Sequence, residues 1–184
     1  MKFSAKSALM AAIACILPAG AALAQELPRH YGPYLGETSP QVQAWFSHVA
    51  DAYEEAFVES NGRVVDPQNE NISHSEGQGY GMLVAVLGDD RLAFEWMWGF
   101  ARRTLQRGDG LFMWKYEPGV GTPDINNASD GELLIASALV LGELRWNETD
   151  YGREAVRIAR ALRDKLVLLY ADYTLLMPGE WARP

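Results

Sequence analysis

Apolar residues in this chain recur mostly at helical spacing, and no stretch alternates with period two for more than a few residues. The first helix is expected from Pro40, capped by Ser39. Val42, Trp45, Phe46, Val49, Tyr53 and Phe57 form one stripe with Gln43, Glu54 and Glu55 off it, so one side meets water. A second helix, from about Glu76 to Leu87, carries an unbroken apolar run from Met82, the mark of burial on all sides. Asp90 caps a third, from Arg91 to about Gln106, with Phe94, Trp96, Met97 and Phe100 inward and Arg91, Arg102 and Arg103 outward. A fourth begins at Ser129, with Glu132 at capping-box spacing, and is uncharged from Leu133 to Leu141. A fifth, from about Tyr151 to Leu169, alternates Val156, Ala159, Leu162 and Leu166 with Arg153, Arg157, Arg160 and Lys165.

The order is wet, buried, wet, buried, wet. It predicts an all-α fold in two layers, with exposed helices outside and apolar ones inside. Long loops precede the two buried helices, from Asn61 to Ser75 and from Gly108 to Asn127. If successive hairpins stack side by side, the buried helices run parallel and both long loops share one end. Long loops on a rigid scaffold are where sites usually sit.

Residues 1–24 read as a cleaved leader: Lys2 and Lys6, a short apolar stretch from Ala8 to Leu17, then Ala22-Leu23-Ala24 before Gln25. The stretch is too short to span a bilayer. The competing reading is a lipoprotein cut before Cys15. Either way the protein is exported, secreted or periplasmic, with one domain over residues 25–184. Of 184 residues 48% are hydrophobic and 22% charged, an ordinary globular composition. The leader takes two of the 16 basic residues and none of the 24 acidic ones, moving the net charge from −8 to −10. Such acidity excludes phosphate backbones and anionic lipid as natural partners. The lone Cys15 excludes a disulfide framework. His30, His48 and His74 lack metal spacing, and neither a phosphate loop nor Gly-x-Ser-x-Gly is present, so no metal or cofactor is expected.

Candidate chemistry lies at the two buried N-termini. Glu76 opens a stretch with glycines at 77, 79 and 81, each costing a helix about 1 kcal/mol against alanine. Close approach of a ligand or of another backbone would compensate. Glu76 reads equally as a reactive carboxyl or as a complement to the helix dipole. The second cluster, Asp124 to Glu132, is either a loop with a capped helix or a set of ligand carboxylates and amides, including Asn127, Asp130 and Glu132. Tyr80, Trp114 and Tyr116 could stack on a pyranose ring, although most such residues fill cores. Two separated carboxylates rimmed by aromatics would suit glycoside hydrolysis.

Ser75-Glu76-Gly77-Gln78-Gly79-Tyr80-Gly81-Met82 and Ala128-Ser129-Asp130-Gly131-Glu132-Leu133-Leu134-Ile135-Ala136 resemble the two N-terminal motifs of family 8 glycoside hydrolases. Gly62-Arg63-Val64-Val65-Asp66-Pro67 is similar to the segment before the first motif. The likeness runs from about Trp45 to Trp181 and is strongest to the periplasmic cellulases that accompany bacterial cellulose synthases. It departs at Glu132, where aspartate is usual, and at Gly142, where alanine is usual.

The resemblance implies an (α/α)6 barrel of about twelve helices, of which this chain would hold the first five, and endo-cleavage of β-1,4-glucan with inversion. It implies Glu76 as general acid and Asp130 beside the cleaved sugar, with Tyr80, Trp114, Tyr116, Asn127 and Glu132 as substrate contacts. The family's base usually comes from the second half of the barrel, so these five helices alone are expected to turn over poorly. A β-glucan is the implied partner, with the cellulose synthase machinery a further one. A relative acting on xylan or chitosan, and a non-catalytic glucan-binding or assembly protein, are the competing readings.

Overall fold

The computed structural model describes residues 39–183. The expected leader, with Cys15, and also His30 lie outside the described residues. Helix α1 spans Pro40–Phe57, and the Ser39 hydroxyl accepts the Val42 N–H at 3.3 Å. Helix α2 spans Ser75–Gly88 and α3 spans Arg91–Phe100, where the Asp90 carboxylate accepts the Ala93 N–H at 2.9 Å. Helices α4 and α5 span Ser129–Trp146 and Thr149–Leu166. Asp89 and Asn147 close α2 and α4 in the left-handed conformation, which short polar side chains tolerate.

Helix α2 packs along α4, α1 and α3 lie against α2, and α5 lies against α4. The two central helices run in the same direction. A methyl on Gly79 would lie 2.6 Å from the Leu134 Cβ, and the Arg145 guanidinium donates to the Leu87 carbonyl at 3.4 Å near the other end. Gly79 is therefore required by the close approach of α4 and Gly81 by that of Met97 on α3, whose sulfur would lie 2.5 Å from a methyl there, whereas a methyl on Gly77 would meet nothing closer than 3.9 Å. The core gathers Met82, Phe94, Met97, Phe112, Ile135, Leu139 and Ile158, all fully buried. Each such side chain contributes about 1.5–3 kcal/mol of burial. Five helices in two layers, two parallel inner ones flanked by outer ones, match the first part of the expected (α/α)6 barrel. None of these helices is long and apolar enough to cross a membrane.

Several local expectations are corrected. Helix α3 reaches its expected end near Gln106, but its last five residues, Ala101–Leu105, wind as a π turn closed by the Gln106 N–H on the Ala101 carbonyl. Trp96 points out and Trp98 in, because the buried arc of α3 passes through Ala93, Phe94, Met97 and Trp98. On α1 the stripe is half-covered: Trp45 is 59% exposed, and only Ala50 is fully buried. On α5, Ala155 and Ile158 are buried and Val156 is exposed. Ser129 does not cap α4: Ala128 holds the cap position without a side-chain bond, and the Ser129 N–H donates to the Pro178 carbonyl at 2.9 Å.

Strands are present too. Ser73–His74 (β1) pairs antiparallel with Lys115–Tyr116 (β2), Ser73 opposite Tyr116, tying the loop before α2 to the loop before α4. The expected fifth helix stops at Leu166. Val167–Tyr170 (β3) then turns back through Ala171-Asp172 to Tyr173–Leu176 (β4) as an exposed hairpin.

Candidate active site

The first turns of α2 and α4 abut. Glu76 is in the first, half-buried, and Asp130 in the second, exposed. Tyr80 lies one helical turn after Glu76, on the same face, and its hydroxyl donates to Glu76 Oε1 at 3.1 Å. That bond, more than burial, raises the phenol above its usual range, and the Asp130 charge adds to the effect. Asp130 Oδ1 accepts the Gly131 N–H at 2.7 Å.

Beside Glu76 opens a cleft of about 310 Å³, walled by Tyr53 and Phe57 of α1, by Asp66 and Gln68 of the first long loop, and by His74 and Tyr80. Behind it Gln78, fully buried, holds the first long loop in place: its amide nitrogen donates to the carbonyls of Gly62 (2.6 Å) and Met97 (2.9 Å) while its oxygen accepts the Val64 N–H at 3.1 Å. Arg63, itself 5% exposed, ties the same loop to Glu59, Asn71 and Ser73.

The other expected contacts separate into two groups. Trp114 sits beside the cleft, its ring 5.8 Å from His74 and its indole N–H on Asp124 at 2.7 Å, which holds that carboxyl below its usual range. Lys115 Nζ lies 5.1 Å over the Trp114 ring. Tyr116 stands edge-on to Phe100, with the Arg63 guanidinium 5.7 Å from its ring centre, so packing occupies it. Asn127 and Glu132 are fully buried and face inward, not toward a sugar. Glu132 accepts the Phe112 N–H at 2.9 Å and the Asn127 amide at 3.1 Å, and burial pushes its carboxyl up to about 8. Asn127 in turn accepts the Glu180 N–H at 2.9 Å. Glycine at 142 also has a structural reason: Phe94, Trp146 and Tyr151 crowd its Cα, within 3.1–3.2 Å of where a methyl would be.

The sequence reading left Asp66, Gln68, His74 and Gln78 without a role. Gln78 carried a signal, since it precedes Met82 by four residues and so shares a face with the buried apolar run. The other three lie near Glu76 only through the fold of the first long loop. The arrangement can present one carboxyl with a hydroxyl donor on it to a bound polar ligand, with a second carboxylate on the adjoining turn.

The family model described as glycosyl hydrolases family 8 matches residues 38–183. An endoglucanase of Cellulomonas uda is 36% identical over 140 residues, 74% of this chain and 39% of that protein. A probable endoglucanase of Novacetimonas hansenii is 43% identical over 126 residues, 67% of this chain and 37% of that protein. The crystal structure of an endo-β-1,4-glucanase from Acetobacter xylinum superimposes with a TM-score of 0.71 at 39% identity, over 73% of this chain and 43% of that one. That of a family 8 endoglucanase from Klebsiella pneumoniae gives 0.70 at 37% identity, over 71% and 43%. The chain spans about two fifths of the length of the curated relatives it matches.

Proposed function

The chain belongs to glycosyl hydrolase family 8, and on that premise we propose that it carries the proton-donating half of an inverting endo-β-1,4-glucanase site. The observation that carries this reading is the pairing of Glu76, held by Tyr80, with Asp130 on the adjoining first turn of a parallel helix. Glu76 protonates the leaving glycosidic oxygen. The Tyr80 hydroxyl occupies Oε1 and so directs Oε2 to the bond being cleaved. Asp130 orients the sugar ring or the attacking water and forms no covalent bond, because inversion has no glycosyl-enzyme intermediate. The base lies on the opposite face of the sugar, outside this helical layer. Ala22-Leu23-Ala24 supports export to the periplasm or beyond, where the cellulose synthase machinery is the partner proposed for it.

The test is reducing-sugar release from soluble cellulose, xylan and chitosan by a family 8 barrel containing this layer, alongside binding of cellohexaose by the 184-residue chain. Preference for soluble cellulose is expected. Release from xylan or chitosan instead would reassign the substrate. Binding to cellulose with no turnover by the barrel would favour a glucan-binding protein.

A further inference from the structure

Glu132 follows Asp130 by two residues, yet none of it reaches solvent. Its two oxygens face two donors, the Phe112 N–H and the Asn127 amide. Two residues past Phe112, the Trp114 N–H donates to the Asn126 carbonyl, and the Trp114 carbonyl accepts the Ser75 N–H, each at 2.9 Å. Ser75 immediately precedes Glu76. The segment from Phe112 to Trp114 is thus fixed at one end to the turn that bears Asp130 and at the other to the turn that bears Glu76. We infer that Glu132 is a positioning residue, which through Phe112 and Trp114 sets how the Glu76 turn stands relative to the Asp130 turn and touches no substrate.

The chemistry favours a carboxyl group. Glutamine would place an amide nitrogen against one of the two donors. Asn127 cannot turn round to accept it, because its own oxygen is held by the Glu180 N–H. Glu132→Gln therefore leaves one buried donor without a partner while preserving volume.

The experiment uses the 184-residue chain and reads amide hydrogen exchange, with cellohexaose binding as a second arm that alone rests on the glucan reading. In Glu132→Gln the amides of Phe112 and Ser75 should exchange about tenfold faster, the effect of one unsatisfied buried donor, while those of Ile158 and Leu162 on α5 stay as they were. Cellohexaose binding should weaken in parallel. Unchanged exchange at Ser75, or equal acceleration on α5, would overturn the inference, the latter because a general loss of stability loosens every element. If the variant does not fold, the unmutated chain decides: one bracket opening as a unit gives Phe112, Trp114 and Ser75 protection within about threefold of one another. Protection that differs by more than about tenfold among the three would refute it. Failure of the unmutated chain to bind cellohexaose counts against the proposed substrate and leaves the exchange arm to judge Glu132.

Discussion

Gly131 lies directly against Ser75: a methyl on its Cα would be 2.7 Å from the Ser75 Cβ and 3.0 Å from the Glu76 nitrogen. Gly131→Ala should therefore push the two first turns apart. Alanine gains about 1 kcal/mol of helix propensity, but overpacking costs about 1–3 kcal/mol, so urea unfolding should show a net loss. Ser75→Gly in the same chain should restore part of it, as a double-mutant cycle would reveal. Additive effects would mean that the turns do not press on each other.

Glu76→Gln should separate binding from chemistry. The amide keeps size and still accepts the Tyr80 hydroxyl, but it has no proton to give. In a family barrel containing this layer, kcat should fall by about 10²–10⁴, with KM for soluble cellulose little changed. Turnover close to normal would remove Glu76 from the role of acid.

Stability should fall as pH rises through neutrality. Burial, then the charges of Asp90 and Asp51, push Glu54 up to about 7. Burial pushes Glu132 up to about 8, with Asp130 adding to it and the Phe112 and Asn127 donors and Arg107 opposing it. Both values exceed the roughly 4.3 of an unfolded glutamate. The stability these groups contribute is thus complete below that value and lost as pH rises through about 7 and about 8. Glu59 and Glu95, held low by hydrogen bonds from Arg63 and Arg91, act in the opposite sense and lose their contribution in acid. The urea midpoint should drop between about pH 5 and about pH 8 and then level off, and Glu54→Gln should flatten the part of that drop below about pH 7. A midpoint that rises over this range would contradict the assignment.

The segment after β4 is pinned by charge. Arg107 meets Asp109 at 2.6 Å and Glu180 at 2.5 Å, and Lys165 meets the same two carboxylates at 2.6 and 3.2 Å. All four side chains are partly exposed, so solvent screens them. Lys165→Met should cost about 0.5–1 kcal/mol at low ionic strength and almost nothing in about 1 M salt. A loss that persists in salt would point to packing by the lysine stem instead.

The helices were legible because period and caps agreed. Ser39 and Asp90 cap as their positions suggest, and the charge-free runs of α2 and α4 lie in the centre. The hairpin was not legible. Val167-Leu168-Leu169-Tyr170 is continuously apolar, which continues a helix as readily as it starts a strand, and Ala171-Asp172 lacks the glycine or asparagine that marks a tight turn. Asn127 and Glu132 misled for another reason. Acidic and amide residues at a helix start are ordinarily exposed, and the partners that draw these two inside, Phe112 and Glu180, are 20 and 53 residues away. Glu76, Tyr80 and Asp130 came from motif likeness and helix phase, both local properties, and the fold places them together.

The β3–β4 hairpin has a material consequence. Leu169 is 79% exposed, Tyr170 and Tyr173 are each 70% exposed, and nothing among the described residues covers them. Each strand also has one side whose N–H and C=O groups have no neighbouring strand among the described residues. From Leu166 to Tyr170 there is no charge, proline or glycine to discourage stacking. At high concentration this ribbon is a template on which identical ribbons can add, one rung every 4.7 Å or so. Uncovered, it makes the shelf life of a concentrated solution a matter of colloid chemistry, in which a single lysine in place of Leu169 would count for more than any improvement to the core.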